Sequence, residues 1–153
     1  MTRETEQAIW SRVRGPGAMN AETALLPERL EQLILDQKRN AAQLRQLSRR
    51  LSGPGRALLM RMAGESDDRA RELTAVHYLL TGRRLRLQPK PEPLPRDLPE
   101  ALRTASLRQQ EAARSFAALA GDFSDWSETF SRMGRDSRST LERITRLLRA
   151  QMR

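Results

Sequence analysis

No cysteine occurs in the 153 residues, which excludes disulfide scaffolds, thiolate metal sites and cysteine nucleophiles. Histidine is almost as scarce. The lone imidazole, His77, removes every centre that needs two, including H-E-x-x-H and the three-histidine zinc arrangement. Aromatic residues make up 4% of the chain, too few and too dispersed to build a basic-aromatic platform for stacking single strands. No stretch approaches the ~18 consecutive apolar residues that span a bilayer. The amino-terminal stretch MTRETEQAIWSRVRG carries acids and lacks the apolar run of a signal peptide. A soluble, cytoplasmic protein is expected.

Lysine is nearly absent too, with Lys38 and Lys90 alone among 28 basic residues. The net charge of +9 points to anionic partners, because clustered cations gain affinity by releasing phosphate counterions. Here the arginines are scattered along every segment and interleaved with Glu and Asp. That is the pattern of solvated helix faces, and nucleic acid is not the expected partner.

What is present is helical punctuation and helical period. Gly15-Pro16-Gly17, Pro27, Gly53-Pro54-Gly55, Gly82, five prolines from Pro89 to Pro99, and Gly121 divide the chain. Prolines open helices and glycines close them, which predicts four long helices near 27–51, 54–81, 99–120 and 123–151. Each carries an apolar stripe: Leu30, Leu33, Ile34, Ala41 and Leu44; Leu59, Met62, Ala70, Leu73 and Val76; Leu102, Ala105, Ala112, Phe116 and Leu119; Trp126, Phe130, Met133, Ile144 and Leu147. Four such stripes bury against one another most simply as an all-α four-helix bundle. The bundle is assigned to 21–153, preceded by an amphipathic segment, 1–20, forming a short helix.

Short joints make helices one and two, and three and four, antiparallel hairpins. The link between helices two and three, 82–98, is long and Pro-rich. At about 3.1 Å per residue it reaches roughly 50 Å, whereas a 25-residue helix is about 37 Å long. It can return the chain along the whole bundle, so that helices two and three run parallel. An internal repeat with an offset of 71 or 72 residues supports two hairpins of one design: Leu30 meets Leu102, Leu44 meets Phe116, Leu59 meets Phe130, Met62 meets Met133 and Leu73 meets Ile144.

Polar residues interrupt the stripes at matching places. Gln37 interrupts the first, Ser66 and Arg69 the second, Gln109 the third, and Ser137 and Thr140 the fourth. The repeat maps Gln37 onto Gln109, Ser66 onto Ser137 and Arg69 onto Thr140, which predicts one polar layer inside an apolar bundle.

A bundle of two hairpins with a long crossover, one polar position on helices one and three, and an i, i+3 polar pair on helices two and four resembles the ferritin-like superfamily. The HYLLTG segment at His77–Gly82 followed by the Pro-rich link is similar to the small rubrerythrin-type proteins. In that family a Glu from each of two helices and a Glu-x-x-His from each of the other two hold paired iron or manganese ions. The resemblance implies that Gln37 and Gln109 stand at the single-Glu positions, with Ser66 and Arg69, and Ser137 and Thr140, at the Glu-x-x-His positions. Amides and hydroxyls are weak neutral donors, and a guanidinium donates nothing to a metal. No di-metal centre, no cofactor and no catalytic residue is expected under this register.

Asp36, Glu65, Glu111 and Asp136 lie one or two positions away, and a rotated helix would turn them inward. That alternative gives an iron or manganese oxidoreductase, or a peroxide-handling protein, with an atypical site. Arg69 has two destinations: buried, with Gln37, Gln109, Ser137 and Thr140 as acceptors, or extended outward to water. His77 reads as a packed or helix-end residue, and the glycine-proline clusters lack the context of a phosphate loop. Ile9, Trp10 and Val13 form an apolar face suited to docking on the bundle or on a second subunit. The leading functional expectation is a non-catalytic relative acting through protein contacts, as a homodimer or with another protein. A basic module for nucleic acid or anionic lipid ranks third.

Overall fold

The computed structural model describes residues 21–152, with the side chains of 21–24 left aside. The described chain is all-helical: α1 (Ala21–Ser48), α2 (Gly53–Thr81), α3 (Leu98–Asp122), a single 3-10 turn (Ser124–Trp126) and α4 (Ser127–Gln151). The Ile9, Trp10 and Val13 face lies outside the described residues.

Two helix boundaries differ from the proline and glycine rules. Pro27 lies inside α1 instead of opening it, so its ring nitrogen gives no hydrogen bond to the preceding turn. Leu26, one residue earlier, is buried with Leu30 and Leu33 in the same apolar cluster. Burying such a side chain is worth about 1.5–3 kcal/mol, which offsets a lost helical hydrogen bond. Gly121 does not close α3, which runs on to Asp122. The stop comes from Phe123, whose N–H donates to Leu119 O while its ring is buried.

Both ends of α2 and the start of α3 follow the rules, whereas α1 stops at Ser48 and α4 begins at Ser127, inside the expected 51 and 123. Asp97 caps α3, its Oδ2 accepting from Glu100 N at 3.1 Å, with Pro99 in the first turn. Gly82 closes α2 in the left-handed conformation, φ 72°, and its N–H donates to Tyr78 O.

Side-chain pairs fix the helix directions. Arg45 of α1 pairs with Asp67 of α2, and Ser48 meets Met60, so α1 and α2 are antiparallel. Arg29 near the start of α1 pairs with Asp122 at the end of α3 (2.9 Å), and its guanidinium lies over the Phe123 ring at 5.3 Å. Arg143 of α4 reaches Glu65 of α2 at 2.8 Å, and Arg132 reaches Glu72. Thus α1 opposes α2 and α3, α4 opposes α2, and α2 and α3 run the same way.

The helix-free connection 82–97 lies along α1. Lys38 Nζ donates to Leu87 O (2.6 Å), Gln43 Nε2 to Glu92 Oε2 (3.3 Å) and Arg50 to Pro95 O (2.6 Å), so both segments advance in one direction. Glu92 also accepts from Arg108 of α3 at 2.7 Å. Leu85 and Leu87 pack on one end of the core and Leu94 on the other.

That core is divided in two. One cluster holds Leu30, Ile34, Leu73, Val76, Phe116, Phe130 and Met133. The other holds Ala41, Leu44, Leu59, Met62, Leu102 and Ile144. On every helix the polar interruption falls between them.

Candidate functional site: a polar layer between two apolar clusters

Gln37 occupies the interval between Ile34 and Ala41 on α1, and Gln109 the interval between Ala105 and Ala112 on α3. Ser66 and Arg69 fall between Met62 and Leu73 on α2, and Ser137 and Thr140 between Met133 and Ile144 on α4. All six are buried; Arg69, the largest, is 5% exposed. The helical period explains why. Each residue lies three or four positions from a core apolar residue on the same helix, so it inherits the inward face.

Of the two destinations for Arg69, the structure has the inward one. Its Nε donates to Gln37 Oε1 at 2.8 Å and a terminal nitrogen donates to Ser66 Oγ at 3.0 Å. Ser66 was not among the expected acceptors. Gln109, Ser137 and Thr140 were, and none accepts from Arg69 here. Thr140 Oγ1 instead donates to Asp136 O and accepts from Arg143 at 3.2 Å, the same guanidinium that holds Glu65.

The charge on Arg69 has no close counterion. Among the described residues, no carboxylate forms an ion pair with it within 4.0 Å. Burial lowers its pKa from the ordinary arginine value; the fields of Glu65 and Asp136 oppose that shift, and Arg143 adds to it. Three further atoms of the layer, Gln37 Nε2, Gln109 Oε1 and Ser137 Oγ, are buried without a hydrogen-bond partner.

The neighbouring acids are not turned inward. Asp36 accepts from Gln32 and Arg39 on the outer side of α1, and Glu65 is half-buried against Arg143. Glu111 and Asp136 are exposed. Among the described residues, no group of three or more His, Asp or Glu is placed to hold a metal ion. Two amides, three hydroxyls and a cation do not fit a pair of divalent ions.

His77 sits at the end of α2, fully buried, with Nδ1 3.3 Å from Thr81 Oγ1 and Nε2 unpartnered. Burial depresses its pKa, and Glu31 opposes that shift. Thr81 also donates to the His77 carbonyl, and among the described residues no carboxylate hydrogen-bonds the imidazole to complete a triad.

Sequence reasoning missed three buried polar residues, Asn40, Gln43 and Ser48. Gln43 faces the connection through Glu92, and Ser48 bonds Arg45 O and approaches Met60 Sδ. For Gln43, the covering partner is a segment whose path no periodicity in α1 reveals. Among the described residues, no helix is long and apolar enough to cross a membrane. No family model, curated protein or solved structure matches this chain.

Proposed function

We propose that the chain is a ferritin-like four-helix bundle of rubrerythrin type whose di-metal positions carry Gln37, Ser66, Arg69, Gln109, Ser137 and Thr140, and that it acts without catalysis, through protein contacts. The long crossover alongside α1, the parallel α2 and α3, and the hairpin-to-hairpin repeat support the family reading. The single observation that carries the functional reading is Arg69 itself. A buried guanidinium bonded to Gln37 stands in the layer where the family would need carboxylate and imidazole, and its charge repels a divalent ion.

With no donor set for a metal in the layer, the surfaces remain as the working parts: the outer helix faces and the amino-terminal Trp10 segment. The reading is tested by elemental analysis of protein purified from cells supplemented with iron and manganese. Metal far below one ion per chain is expected. Near-stoichiometric iron or manganese overturns the reading and favours the oxidoreductase alternative.

A further inference from the structure

The polar layer holds more unmet hydrogen-bonding capacity than a sealed filler needs. Arg69 spends Nε on Gln37 and one terminal nitrogen on Ser66, and no described residue accepts from the other. The amide nitrogen of the same Gln37 is buried and unpartnered. Its oxygen is the atom bonded to Arg69, so the idle donor lies beside the guanidinium. Ser137 Oγ, also unpartnered, is one turn from Thr140, which accepts from Arg143; Arg143 in turn holds Glu65, the residue before Ser66. A buried cation thus shares its level of the bundle with two idle donors, Gln37 Nε2 on α1 and Ser137 Oγ on α4.

We infer that this layer is a binding site for one small planar oxyanion of the nitrate or hydrogen carbonate type, seated against Arg69. Three features select that class. The buried positive charge lacks a carboxylate within ion-pair distance, so a neutral water would satisfy atoms without balancing charge. The guanidinium is flat and donates from adjacent edges, which suits a planar acceptor. Gln109 contributes an unpartnered Oε1, able to accept the O–H of hydrogen carbonate; turned over, the same amide offers an N–H to nitrate. The site stands on these contacts alone and holds whether or not the bundle is a ferritin relative.

The test is thermal unfolding of the full chain at fixed pH and constant ionic strength, with sodium gluconate replaced stepwise by sodium nitrate or sodium hydrogen carbonate. Binding to the native state alone raises Tm saturably with anion concentration. Nitrate and hydrogen carbonate are expected to raise it relative to gluconate, a larger and non-planar anion. In Ser137→Ala the half-saturating concentration should rise by about tenfold, the worth of one hydrogen bond to a charged group. Gln37→Glu places a carboxylate against Arg69 and should abolish the response while the protein stays folded by circular dichroism. Arg69→Met should abolish it too. A Tm that stays unchanged as nitrate or hydrogen carbonate replaces gluconate, or a saturable response that persists in Gln37→Glu, overturns the site. The first result assigns the layer to water; the second moves the anion to the arginine-rich surface.

Discussion

At the scale of single residues, the pair Gln37 and Arg69 sets the character of the interior. Replacing Arg69 by Met leaves Gln37 Oε1 without its donor, a buried loss of about 2–3 kcal/mol. Replacing both, Gln37→Leu with Arg69→Met, removes the polar group on each side and should return stability to within about 1 kcal/mol of the parent. Urea unfolding of the two single variants and the double variant checks this. Additive losses would show that the two side chains are not coupled. His77 carries the pH dependence. Its native pKa lies below the ordinary histidine value of about 6.5. As pH falls, the unfolded chain takes up this proton before the native one does. The contribution is thus complete above that ordinary value and is lost as pH drops through the native pKa. His77→Gln should flatten this part of the stability profile, read as urea midpoints between pH 8 and pH 5.

Helix ends and helix interiors carry separate predictions at the scale of elements. The Asp97 cap at the start of α3 satisfies Glu100 N, and Asp97→Ala should cost about 1 kcal/mol. Gly64 lies mid-way along α2 with open space where a Cβ would stand. Gly64→Ala should therefore stabilise the protein by about 0.5–1 kcal/mol, because only backbone entropy changes. Thermal melts of the two variants should move in opposite directions. The helices themselves were legible from period and punctuation, and their ends less so. Pro27 and Gly121 follow local rules that tertiary burial overrode: Leu26 is covered by the core, and Phe123 supplies the stop beyond Gly121.

Across the whole molecule, the connection 82–97 works as a strap held at Glu92 by Gln43 and Arg108. Its ion pair is partly exposed, so Glu92→Ala should lower global stability by no more than about 1 kcal/mol. Amide hydrogen exchange should rise chiefly within 83–97, which distinguishes loosening of the strap from opening of the bundle. The two apolar clusters at either end, with the polar layer between, also explain why the internal repeat is visible. Each hairpin supplies one half of every level, so apolar and polar positions recur at the same spacing in both halves.

The amino-acid sequence by itself determined the helical class, the apolar stripes and the identity of the six polar interruptions. A residue's place within a 3.6-residue period depends only on its neighbours along the same helix. The tertiary structure decided what those interruptions do to one another. Arg69 has a side chain long enough to reach either water or Gln37, and only the packing of α1 against α2 selects the inward course. Burial of Gln43 beneath the strap has the same origin, because that cover comes from residues almost fifty positions away.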